Sequence, residues 1–245
     1  MKFHLQLIIL TLLVPGLAAC HDSGEDDNQN ASQASQSTAA LFDRDMSKRG
    51  CEILTADLVS ATFDVPADAL KQMKIMGCRY EWSNDEQTLT AGITMLRAYK
   101  SEAAAAGWFA NATRNRTAKE MQQEMDKISG QLDESEQLDT ELKKSTAKNL
   151  LAMVENKAVN FEDVEGIGDE ARVRDSGTVY VRVDNLTFMV TAYKGSKMPK
   201  PDMQGVDLKQ LVAITKENAA RWAIETAPQR KNDGIRLARV IVDNL

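Results

Sequence analysis

The chain has 245 residues, 43% of them hydrophobic, and a formal net charge of −6. Length and apolar content suffice for one sizeable core, and the acidic balance argues against a nucleic-acid partner, since DNA- and RNA-binding surfaces are basic. The two histidines are His4 and His21, so Ser-His-Asp and Cys-His nucleophiles and histidine-based zinc sites are excluded beyond residue 21.

Lys2 and the apolar run Leu5 to Val14 lead into Leu17-Ala18-Ala19-Cys20. A run of about ten residues is too short to cross a bilayer and fits the apolar part of a signal peptide. The segment resembles the lipobox of bacterial lipoproteins. That likeness implies a signal peptide over 1–19, cleavage before Cys20, and lipidation (palmitate-type acyl chains) of the Cys20 sulfur and amine. The bland alternative is a plain secretory signal cut after Ala19. Two or three acyl chains hold a protein stably to a membrane, here a bacterial membrane outside the cytoplasm. His21, where an aspartate would mean inner-membrane retention, implies the periplasmic face of the outer membrane in a Gram-negative source. Residues 20–46 are polar and cannot bury enough surface to order themselves. As a flexible tether they would span about 28 Å. The rest, 47–245, is expected to be a single domain.

If Cys20 is lipidated, Cys51 and Cys78 remain, in a compartment that permits disulfides. A bridge would close a loop of about 28 residues, worth about 3.5 kcal/mol. Two buried thiols or a metal pair are the alternatives, although a metal would need further soft or imidazole ligands.

Cys51 to Val65 reads as a short helix capped by Thr55, with Leu54, Leu58 and Thr62 on one face. Pro66 opens a second helical turn, expected to end before Gly77. Gly77 to Tyr99 reads as a hairpin with Trp82 facing Leu89, Tyr80 facing Ala91 and Cys78 facing Ile93. A helix carrying Trp108 follows, then a charged helical insertion near 113–156, which Gly130 is expected to break in two. Ala171 to Arg174 is a strand ended by Asp175-Ser176-Gly177. Thr178–Val183 and Leu186–Tyr193 form a hairpin over Asp184-Asn185, with Val183 facing Leu186, Val181 facing Phe188 and Val179 facing Val190. An amphipathic helix from Asp207 to about Thr226 presents Leu208, Leu211, Val212, Thr215, Ala219 and Trp222 on one face. Ile235 to Val242 could be an edge strand or a short helix, and is read as a strand. The fold class is therefore α+β, an antiparallel sheet built from two hairpins with helices mainly on one face. Hairpin-then-helix occurs twice, which is either an internal duplication or ordinary α+β layout.

Met121, Met125, Ile128 and Leu132 form one helical stripe. It is either an adaptable face for an envelope protein partner or a helical hairpin packing on itself or on the sheet. The acids between Glu162 and Glu170, around Gly166 and Gly168, are either a calcium loop, whose spacing does not match an EF-hand, or a solvated turn. Arg172, Arg174 and Arg182, with Tyr180 and Tyr193, are the candidate ligand face. Otherwise they are the polar side of a half-covered sheet. Trp82, Trp108 and Trp222 read as core aromatics. No motif points to a cofactor, a resident metal or a catalytic residue.

Cys51-Glu52-Ile53-Leu54-Thr55, Cys78-Arg79-Tyr80 and Gly166-Ile167-Gly168-Asp169-Glu170-Ala171 resemble motifs of a family of small secreted lipoproteins of unknown function, best known from actinobacteria. The likeness covers Cys51 to Tyr99 and Gly166 to Trp222. It implies a Cys51–Cys78 disulfide and a compact α+β fold, and it brings no activity. The functional expectation is a membrane-anchored, non-enzymatic binding protein of the cell envelope, for a protein partner or a small ligand. A carboxylate-based envelope hydrolase and a structural envelope protein are the alternatives.

Overall fold

Two stretches of strict alternation meet at the centre of the fold. The computed structural model describes residues 42–74, 77–134, 140–152, 157–200 and 207–245. The expected signal segment 1–19, Cys20 and the tether as far as residue 41 lie outside the described residues. Cys78, Tyr80 and Trp82 of β2 (Gly77–Ser83) stand opposite Ile93, Ala91 and Leu89 of β3 (Gln87–Ala98). Val179, Val181 and Val183 of β6 (Val179–Val183) stand opposite Val190, Phe188 and Leu186 of β7 (Leu186–Ser196). Both registers are those the alternation predicts, because a one-residue slip would turn each apolar set to solvent. The hairpins then join through antiparallel pairing of β3 with β7, Ile93 opposite Val190 and Ala91 opposite Ala192.

Three shorter strands complete the sheet: β1 (Lys71–Met73), β4 (Phe161–Asp163) and β5 (Glu170–Arg174). The order is β1-β2-β3-β7-β6-β5-β4, every pairing antiparallel. The class is α+β, and the sheet of seven strands exceeds the two hairpins expected. The helical turn expected from Pro66 to Gly77 is only a 3-10 turn, Ala67–Ala69, after which the chain extends into β1.

One face of the sheet carries the main core. Leu54, which ends α1 (Gly50–Ile53), and Val59 and Phe63 of α2 (Ala56–Phe63) are all buried there with Leu89, Ile93, Phe188 and Val190. Thr55 caps α2 by accepting from the Leu58 amide at 3.2 Å. A disulfide between Cys51 and Cys78 ties α1 to β2 across a Cα separation of 5.0 Å. The fold begins by Phe42, ahead of the expected boundary at residue 47. Met46 is buried, and the buried Asn185 accepts from the Phe42 amide at 2.8 Å while donating to the carbonyls of Phe42 and Tyr99.

Ile235 to Val242 is not an edge strand. It is the last part of α6 (Leu208–Val242), a single helix of 35 residues. The eight residues hold apolar groups at both even and three-four spacings, and the helix resolves the choice by burying Leu237, Ala238 and Ile241 in the core. Pro228 lies inside α6 at an exposed position, where water can take the one carbonyl that loses its donor.

α3 (Glu102–Ala112) covers the opposite face. It buries Ala105 and Phe109 outside the main core, and Arg172, on that face, donates to the Thr113 carbonyl at 3.3 Å. Helices therefore lie on both faces.

Gly130 does not break the charged insertion. α4 (Ala118–Glu134) runs through it, and α5 (Glu141–Ala152) follows. One glycine costs a helix about 1 kcal/mol, less than the turns on either side supply. A Cβ at Gly130 meets nothing within 4 Å. Gly130→Ala is therefore expected to raise stability by up to about 1 kcal/mol. An unchanged or lower melting temperature would mean that the position needs glycine's freedom. Thr117 and Glu120 cap α4 reciprocally, and these hydrogen bonds hold the Glu120 carboxyl below its ordinary value. A depressed carboxylate contributes above its unfolded value, so this cap is lost as pH falls through the folded one.

Candidate functional site

The five residues of the candidate ligand face do not converge. Arg172, Tyr180 and Arg182 do share the polar face, on paired positions of β5 and β6. Two of the three arginines are engaged by carboxylates, however. Arg172 meets Asp163 at 2.7 Å, and Arg182 meets Asp169 at 3.0 Å and Glu170 at 2.9 Å. Tyr180 packs edge-on against Phe161, with ring centres 5.2 Å apart. Arg174 is exposed on the strand next to the β4 edge, and Tyr193 lies two strands away on β7.

The acidic turn is built by the same contacts. Ile167 anchors it in the core, Asp169 accepts from the Asp184 amide at 2.6 Å, and Gly168, at φ +57°, lies where a Cβ would stand 2.5 Å from the Arg182 carbonyl. No cluster of three metal-ligating side chains occurs among the described residues. The methionine stripe sits on α4, which packs on α5. Met121, Met125 and Ile128 are half-buried and Leu132 is buried.

A different place gathers unspent polar groups. Strands β2, β3 and β7 present Arg79, Thr88, Thr90, Thr191 and Tyr193 on the polar face, because these residues alternate with the core-facing set. α6 passes over them with Trp222 and Arg230. The turn Ser176-Gly177-Thr178 closes one side, leaving a cleft of about 350 Å³. Trp222, Thr226 and Arg230 are spaced four apart, so they form one line on the helix. Thr226 Oγ1 donates to the Trp222 carbonyl at 2.6 Å and accepts from Arg230 Nε at 3.1 Å. The Arg230 guanidinium then lies 4.4 Å from the Trp222 ring centre and 5.5 Å from that of Tyr193, and the two rings meet edge to face at 5.2 Å.

This cation is held by π faces and has no carboxylate partner among the described residues. Burial pushes the Arg230 guanidinium below its ordinary value, the nearby Tyr193 opposing that shift. It stays cationic at neutral pH. Trp222 Nε1 is buried without an acceptor among the described residues. The hydroxyls of Thr90 and Thr191 have no protein partner among the described residues. Thr88 donates to the Trp82 carbonyl at 3.3 Å, and Arg79 is paired with Glu81 at 2.9 Å on an exposed surface. The arrangement offers one fixed fork of donors, several hydroxyls and an aromatic floor.

Of the five residues that the sequence offers as a ligand face, only Tyr193 belongs to this cleft. Trp222 lies in it rather than in the core, whereas Trp82 packs on the main core and Trp108 lies 6.1 Å from the Tyr99 ring. Arg230 falls outside the sequence reading because the predicted helix ends near Thr226. Extending the period through Pro228 would reveal the Trp222-Thr226-Arg230 line. A second hollow, beside Arg97, Tyr99 and Lys100, has Arg97 stacked 4.7 Å over the Tyr99 ring, and burial pushes the Tyr99 hydroxyl up.

The chain matches no protein-family model, no curated protein and no solved structure.

Proposed function

We propose that this chain is a lipid-anchored binding protein of a bacterial cell envelope that holds a small ligand in the cleft between α6 and the threonine-bearing face of the sheet. The observation that carries the ligand reading is Arg230, fixed over Trp222 and Tyr193 without a carboxylate to neutralise it among the described residues. A cation held this way, beside free hydroxyls, is pre-organised for an occupant rather than for the fold. The role is non-enzymatic binding. Asp169 and Glu170 lie side by side, but both are engaged by Arg182, which ties them to the structure of the turn.

The anchor rests on Leu17-Ala18-Ala19-Cys20, and the Cys51–Cys78 disulfide fits an oxidising compartment. The motifs Cys51 to Thr55, Cys78 to Tyr80 and Gly166 to Ala171, which resemble those of small secreted lipoproteins, support the same reading. Among the described residues no helix is long and apolar enough to cross a membrane. Attachment is assigned to lipid on Cys20, at the outer membrane where the source is Gram-negative. In cells fed an alkyne-tagged palmitate, the wild-type chain is expected to take up label and fractionate with membranes. Cys20→Ala should lose the label and leave the membrane fraction. A Cys20→Ala protein that stays membrane-bound would sink the anchor. A protein partner is the second reading, supported by Val212 and Ile224, which α6 leaves 61% and 75% exposed.

A further inference from the structure

Resting on that reading of the cleft, we infer that its ligand carries a phosphate group, seated on the outward fork of Arg230 and the hydroxyls of Thr90 and Thr191. The charge argument comes first. The cleft holds one cation that no carboxylate among the described residues answers, and a second, Arg79, only partly answered by Glu81 on an exposed surface. A neutral ligand would leave Arg230 uncompensated, and a cationic one would be repelled by it.

Geometry then favours a phosphate over a carboxylate. Arg230 spends its Nε on Thr226, which leaves the two Nη groups as a parallel pair of donors, the pattern that meets an oxyanion in two hydrogen bonds. A carboxylate would be used up by that fork. A tetrahedral phosphate keeps further oxygens for the free hydroxyls across the cleft, on neighbouring strands β3 and β7. The aromatic faces beneath Arg230 are covered by the guanidinium, so they hold the cation in place rather than stack on the ligand.

Phosphate groups reach an envelope protein either on a soluble monoester or on a lipid headgroup, and the two are separable. Full-length protein in neutral detergent micelles is titrated with glycerol 3-phosphate, with inorganic phosphate, and by doping the micelles with phosphatidic acid, whose headgroup is a phosphate monoester. Tryptophan emission is the readout, since Trp222 lies under the cation. A saturable change with either soluble probe, or with the doped lipid alone, is expected and identifies the source. Trp222→Phe should remove the change while Trp82 and Trp108 still emit. Arg230→Gln should weaken binding at least tenfold, and Thr191→Val, which keeps shape and removes one hydroxyl, about fivefold. Arg174→Gln, outside the cleft, should titrate as wild type.

No saturable change with any of the three probes, or Arg230→Gln and Thr191→Val both titrating as wild type with unchanged melting temperature, would overturn the phosphate assignment. Native mass spectrometry of protein taken from its own envelope separates the two failures. A retained compound without phosphate, lost in Arg230→Gln, overturns the phosphate and keeps the cleft as a binding site. No retained compound and no titration overturn both.

Discussion

Removing the Cys51–Cys78 bridge, as Cys51→Ala with Cys78→Ala, is expected to lower stability by about 3.5 kcal/mol. The bond spans a sequence separation of 27 residues, and freeing a loop of that size returns conformational entropy to the unfolded chain. The folded side also suffers. α1 is four residues long, far below what holds a helix unaided. Leu54 beside it is fully buried in the main core, so a loosened α1 threatens that packing as well. In a domain of this size the loss corresponds to about 10 °C in melting temperature. Thiol reductant should destabilise the wild type by a similar amount and leave the double variant untouched. A loss under about 1 kcal/mol would mean that burial of Leu54 alone fixes α1.

What can be read ahead of the structure follows the range of the forces involved. The registers Trp82–Leu89 and Val181–Phe188 are legible because each rests on alternation within about twenty residues and one turn. β1 is not, because Lys71, Gln72 and Met73 carry no alternation. They become a strand by pairing with residues 79–81 along the edge of β2. The end of α6 is ambiguous because Ile235 to Val242 satisfies both periods, and the core decides between them. The arginine face is legible as a face, since Arg172 and Arg182 do lie on it, but not as spent charge. Their carboxylates sit on neighbouring strands and on the acidic turn, and only the pairing of β4, β5 and β6 brings them close. The cleft is least legible of all. It exists where one helix crosses strands that precede it by up to about 150 residues, and nothing local marks the crossing.

That crossing depends on two glycines. Gly177, at φ +86°, ends the turn after β5, and a Cβ there would stand 2.6 Å from the Arg230 Cβ and 2.8 Å from the Arg230 carbonyl carbon. Gly234, one turn further along α6, packs so closely that its Cβ would meet the Gly177 carbonyl oxygen at 2.7 Å. Gly177→Ala therefore adds two costs, about 1–2 kcal/mol for a side chain at positive φ and about 1–3 kcal/mol for overpacking against helix backbone that cannot rotate away. A total of about 3 kcal/mol is expected. Gly234→Ala separates the terms. In a free helix it would gain about 1 kcal/mol, as expected for Gly130→Ala. Here the contact with the Gly177 carbonyl opposes that gain, and a net loss of about 1–2 kcal/mol is expected. Both variants push α6 off the β5–β6 turn and shift the Trp222–Arg230 line, so tryptophan emission should change even under conditions where the protein remains folded. If Gly234→Ala instead raises the melting temperature and leaves the emission unaltered, the close approach does not set the position of α6. The placement of Arg230 over the cleft would then have to come from Lys194, whose amide donates to the buried Asp233 at 2.8 Å on the next turn of the helix.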